Sequence, residues 1–136
     1  VLQVRSIRDQ VKERLDKVPP RRRAEIQKLV DGLMQPLTAV EEEVYQVKLH
    51  AFEDPLNYPI KLNNKIAALA GVVGSADARP TDQSYVVYKQ LAAQLDAQLQ
   101  TLSEALKTEL PRVNAALARE KLGAIDASRK PTPPQP

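Results

Sequence analysis

DPLNYPIKLNNKIAALAGVVGSADARPTDQSYVVYKQLAAQLD, residues 54–96, lies between two long stretches whose apolar residues recur at three- and four-residue steps, and its reading decides the fold. Proline follows Asp54 and again follows Tyr58, biasing both residues away from the helical region, so 54–60 predicts an ordered extended turn. Leu62, Ile66, Ala70 and Val73 then restart a helical period. Ala67, Ala68, Ala70 and Gly71 keep that short helix slim enough for a neighbouring backbone to approach closely. GSADARP, residues 74–80, reads as a loop. Thr81 is an N-cap candidate for the next helix, with Ser84 at the position where a capping box would carry Glu or Gln.

Working outward, the preceding stretch carries Ile26, Val30, Leu33, Leu37, Val40, Val44, Val47 and Ala51, a sustained seven-residue period that predicts bundle packing at a shallow crossing angle. Gly32 and Pro36 predict a bend inside it. Glu41, Gln46, Glu43 and Lys48 read as its solvent side, while Tyr45 and Phe52 widen its apolar side. Upstream, Val4, Ile7, Val11, Leu15 and Val18 form one stripe of a first helix, stopped by Pro19 and Pro20. Downstream, Tyr85, Tyr88, Ala92, Leu95, Leu99, Leu102, Leu106, Leu110, Val113 and Leu117 make the longest stripe. Pro111 predicts either a kink or a tight break, with Thr108 capping a final short helix and the proline in its first turn. Gly123 is expected to end that helix, and Ile125 to fold back on the bundle.

The resulting expectation is all-α: an up-down-up three-helix bundle with an additional short helix in the second connection and a kinked or broken last helix. One domain covers 1–127, followed by a flexible Pro-rich tail or linker at 128–136. The expected core includes Val40, Val44, Val47, Ile66, Leu95, Leu99, Leu102 and Leu106, with truncation of Leu95 or Leu99 the most damaging.

Composition supports this class. Of 136 residues, 43% are hydrophobic but only 4% aromatic, so Leu, Val, Ile and Ala must fill the core. A sheet protein would carry more aromatic and β-branched runs. The chain opens Val-Leu-Gln inside an amphipathic pattern, with no initiator Met and no signal segment, and is expected to be a piece of something larger. A net charge of +3 is concentrated early, and the one true basic cluster is Pro19-Pro20-Arg21-Arg22-Arg23. No aromatic stacking platform accompanies it, so no nucleic-acid partner is expected. No apolar run is long enough for membrane insertion.

Chemistry is scarce. There is no cysteine and His50 is the single histidine, which leaves neither a His/Cys metal cluster nor a familiar serine-histidine triad. Glu41, Glu42 and Glu43 are consecutive, so a helix points them in different directions. None of the four glycines forms a phosphate-cradling pattern. No catalytic residue, metal or cofactor is expected, and an enzyme is not. The remaining polar set holds the candidate binding residues Asn57, Tyr58, Asn63, Asn64, Arg79 and Asp82. Its alternative role is local: Asn63 or Asn64 bonding the connector backbone, Asp77 holding the loop, and Arg79 pairing with Asp82.

The segment from 54 into the last helix resembles the helical region at the C-terminal end of large bacterial BNR-repeat or sortilin-like, glycosyl-hydrolase-like β-propeller proteins. There a connector of the form DPLN-P-LNNK-AALA is followed by a loop containing ARPT and a long helix. The resemblance extends more loosely through LTAVEEEVYQ upstream and LKTELPRVNAAL downstream. It implies an extracellular or periplasmic parent protein whose propeller carries any glycosidase or protein-binding activity. No catalytic residue transfers, whereas Asn57, Asn63, Asn64 and Arg79 match the polar positions of the connector. The expectation is a noncatalytic structural or docking domain, partnered by an adjoining propeller or other domain, with self-association also in view. The alternative is an independent peptide- or carbohydrate-binding module using the 57–83 edge.

Overall fold

Among the described residues four α-helices form, in chain order α1 (Leu2–Leu15), α2 (Pro20–Val44), α3 (Leu62–Gly74) and α4 (Asp82–Arg119). The computed structural model describes residues 1–48, 56–75 and 77–129, and no strand occurs among them. The protein is all-α, with the short α3 between the two long helices. Two compact units divide it: Val1–Ala39 with Thr101–Pro136, and Val40–Gln100. The division falls inside α2 and α4, so neither boundary leaves a mark in composition.

In the first unit, α1 and the contributing parts of α2 and α4 share one core. Ile7, Leu33, Leu37, Leu117, Val4 and Val113 are its largest fully buried side chains. Leu102 and Leu106 are partly buried and pack against this cluster. Pro19 and Pro20 separate α1 from α2 as expected, and Pro20 occupies the first turn of α2, where its missing N–H has no helical partner to lose. The basic cluster there is partly neutralised: Arg22 bonds Glu25 at 2.8 Å and Glu120 at 3.1 Å, and Arg23 lies 3.7 Å from Asp16.

At the end of α4 one of the two alternatives read for Pro111 is excluded: the proline lies within a continuous helix, without a tight break, and the Thr108 hydroxyl donates back to the Glu104 carbonyl at 2.9 Å instead of capping a new helix. The helix then stops at Arg119, short of Gly123. Leu122 N–H donates to Leu117 C=O and Lys121 N–H to Ala118 C=O, both at 3.0 Å. This is a Schellman closure. Its left-handed residue is Lys121, at φ 59°, and not the nearby glycine.

Beyond that closure the chain turns back and is held by side chains. Asn114 Nδ2 donates to Ile125 C=O at 3.1 Å while Ile125 N–H donates to Asn114 Oδ1 at 2.8 Å. Gln10 treats Asp126 the same way, with both bonds at 2.9 Å. Gln3 Nε2 reaches Ala127 C=O at 3.0 Å, the Ser6 hydroxyl reaches Arg129 C=O at 2.8 Å, and Arg14 Nε reaches Gly123 C=O at 3.1 Å. Ile125 is buried in the core, so the expected fold-back occurs. The hydrogen-bonded chain reaches Arg129, one residue past the start assigned to the flexible tail; residues 130–136 lie outside the described residues. The Ser128 hydroxyl and N–H, both donating to the Asp126 carboxylate at 2.6 and 2.8 Å, hold that carboxyl below the usual aspartate range.

Candidate functional site

The second unit, Val40–Gln100, is built differently. Its buried hydrophobic residues are Val40, Leu62 and Leu91 among the described residues. α2 ends at Val44, earlier than the stripe through Val47 and Ala51 predicts. Val47 lies half-buried in a turn, and Ala51, Phe52 and His50 fall outside the described residues. The Gln46 side chain supplies an alternative to further helix: its carbonyl accepts Lys48 N–H at 3.3 Å and its Nε2 donates to Pro59 C=O at 2.8 Å. Gln46 and Glu41 are buried, correcting their assignment to the solvent side. A straight helix turns every 3.6 residues, so a stripe written with a period of 3.5 drifts until the face between Leu37 and Val44 includes position 41.

α3 begins after Lys61, whose Nζ lies 3.5 Å from Glu43. At the start of α4, Ser84 N–H donates to the Thr81 hydroxyl at 3.2 Å, and the two hydroxyls lie 3.0 Å apart. Thr81 is therefore the N-cap, and the Ser84 hydroxyl meets its hydroxyl, so the reciprocal bond of a capping box to the Thr81 N–H is not made. The cap fixes where Tyr85 and Tyr88 project, since they follow on the next turn.

Between these two helices lies an open cavity of about 420 Å³. Ile66, Leu69, Ala70 and Val73 line it from α3, while Ser84, Tyr85 and Tyr88 line it from α4 and Pro80 from the loop before it. Its wall is apolar, and the Ser84 hydroxyl is already engaged with Thr81. The volume suits a side-chain cluster or a compact apolar molecule, but the wall offers little to orient a polar ligand. The surrounding surface is unusually apolar: Tyr88 is 62% exposed, Val72 64%, and Ile66, Val73, Tyr85, Val86 and Val87 are also exposed. Ile66 and Leu99, both expected in the core, are exposed, Leu99 by half. Their stripe phase is helical, but phase alone does not say whether another helix covers the stripe. Val44 and Leu95 are partly buried.

The six candidate binding residues do not join this cavity, whose lining includes none of them. Asn57 and Arg79 are exposed, and Tyr58 is partly buried with Lys48 Nζ 5.4 Å from its ring centre. Asp82 is exposed in the first turn of α4 and is not paired with Arg79. Asn63 and Asn64 are partly buried, and Asn63 Oδ1 is shielded yet accepts no hydrogen bond among the described residues. Among the described residues Arg79 does not pair with Asp82, and it is Gln46, read as solvent-facing, that ties the connector at Pro59.

No group of three His, Cys, Asp or Glu side chains gathers as a metal site among the described residues. No helix among them is long and apolar enough to cross a membrane. No protein-family model, curated protein or solved structure matches the chain.

Proposed function

We propose that this chain is a noncatalytic docking domain of a larger extracellular or periplasmic protein, and that it docks through the apolar groove between α3 and α4. The observation that carries the reading is the contrast within one chain. The first unit buries its stripes in a continuous core, whereas the second leaves Ile66, Val73, Tyr85 and Tyr88 around an open apolar cavity. Exposed apolar surface of this extent is characteristic of interaction sites. The groove between two helices accepts the ridge of a third, as helix-in-groove recognition does. The location and the larger protein follow from the resemblance of residues 54–96 to propeller-associated helical regions, in which an adjoining domain supplies a docking partner.

A photo-crosslinking benzoylphenylalanine in place of Tyr88 tests the proposal in the full chain. The expected result is an adduct that maps to an apolar helical segment of another domain or another chain and disappears with Ile66→Glu. The melt of Ile66→Glu should stay close to the parent's, because Ile66 is exposed. Illumination that yields no adduct, or an adduct indifferent to Ile66→Glu, overturns the proposal.

A further inference from the structure

The exposed surface beside the groove has a periodicity of its own. Tyr85, Lys89, Ala92, Asp96 and Leu99 step along α4 by four, three, four and three residues, the spacing of a coiled-coil seam. Yet this seam faces outward at four of its five positions: Tyr85 is 43% exposed, Leu99 50%, and Lys89 and Asp96 are both exposed, while Ala92 is partly buried. Neither Lys89 nor Asp96 has an ion-pair partner among the described residues. We propose that this ridge pairs antiparallel with the same ridge of a second copy of the chain, Lys89 of each copy meeting Asp96 of the other. The inference goes beyond the docking reading: it concerns the ridge beside the groove, with which it shares Tyr85, and leaves the groove's own partner as proposed above.

Charge selects this arrangement from the alternatives. A parallel pairing in register sets Lys89 against Lys89 and Asp96 against Asp96, and like charges at such positions discriminate against a register. An antiparallel pairing about a two-fold axis between Ala92 and Ala93 sets Lys89 against Asp96 twice. The same axis directs Tyr85 and Val86 of each copy toward Leu99 and Gln100 of the other. Ala92 and Ala93 fall at the crossing, where small side chains let two backbones approach. A shifted antiparallel register could instead match Asp82 with Lys89. Because α4 starts at Asp82, that register overlaps by only two turns and leaves Leu99 uncovered.

The surface sets the strength. The exposed parts of Tyr85, Val86, Tyr88 and Leu99 amount to roughly 400 Å² per copy, about half of the 800 Å² a side of a standard interface. A weak dimer that builds up with concentration follows, held in register by the two symmetric charge pairs.

Sedimentation of the full chain over a wide concentration range, with Lys89→Asp and Asp96→Lys, tests this. The parent should associate to a dimer, and each variant alone should associate about tenfold more weakly, since the symmetry makes each reversal act twice. An equimolar mixture of the two variants should form a heterodimer, because each then offers the charge the other lacks. Thermal melts at low concentration check that both variants fold. A parent that stays monomeric at the highest concentrations overturns the inference, as does a dimer indifferent to these charges or a mixture that fails to associate. In those cases a Tyr88 adduct to a different helical segment would leave the docking reading standing, and its absence would remove both.

Discussion

Asn114→Ala isolates the mechanism that closes the first unit. The Asn114 amide makes two hydrogen bonds to the backbone of Ile125, a residue only 3% exposed. A net contribution of about 1 kcal/mol per bond, plus part of the penalty for leaving semi-buried backbone groups unpaired, gives an expected loss of about 2–3 kcal/mol. If the returning segment detaches altogether, loss of Ile125 burial adds about 1.5–3 kcal/mol. The two contributions separate in a double-mutant cycle with Ile125→Ala. Because Asn114 holds the segment that buries Ile125, the double variant should lose less than the sum of the singles, by at least about 0.5 kcal/mol. Urea denaturation measures the stabilities, and hydrogen exchange at the Ile125 amide reports local release. A loss below 0.5 kcal/mol for Asn114→Ala, or strict additivity with Ile125→Ala, would refute the clamp.

The other predictions concern positions where the sequence and the structure place residues differently. Leu33→Ala, fully buried, should cost about 2–5 kcal/mol, while Leu99→Ala, half-exposed on a helix where Ala is a good former, should cost under about 1 kcal/mol at dilute concentration; equal costs in urea denaturation would contradict the exposure of Leu99. Lys121→Gly should raise stability by about 0.5–1 kcal/mol, because glycine enters the left-handed closure without the steric cost of a Cβ, even after the added freedom of its unfolded chain; a destabilised variant would argue against the φ of Lys121. Ser128→Ala removes the leading cause of the lowered Asp126 pKa, so the Asp126 titration midpoint, followed by NMR, should rise toward the ordinary aspartate value. The sign follows from linkage: a depressed folded pKa contributes stability above the unfolded pKa and loses it as pH falls through the depressed value. An unchanged midpoint would mean that the backbone N–H of Ser128 suffices.

Periodicity made the helices legible, because three- and four-residue spacing of Leu, Val and Ile has a direct geometrical meaning. The α4 start was legible for the same kind of reason: Thr81 after Pro80 is a residue type with a specific bond to make. Coverage was not legible. The stripes through Ile66 on α3 and Leu99 on α4 each have the phase of a core, yet burial requires a neighbour, and phase carries no record of one. Amide side chains hid a different kind of information. Gln10 and Asn114 are unremarkable polar residues on helices until the chain beyond Gly123 returns to meet them, and Gln46 lacks any local sign that it will grip Pro59. Glycine punctuation misled at the end of α4, where hydrogen bonding and the apolar contact of Leu122 hold Lys121 in the conformation that Gly123 was expected to supply.

The strap from Gly123 to Arg129 also has a mechanical side. Gln3 and Ser6 hold Ala127 and Arg129, so the first turns of α1 and the end of the strap lie side by side. Tension between them would load the Ser6–Arg129 and Gln3–Ala127 bonds first and then Gln10–Asp126, peeling the strap bond by bond instead of shearing all of it at once. Under such a pull the strap would open as a clasp does, and because Ile125 belongs to the core, opening it past Asp126 would uncover the core itself.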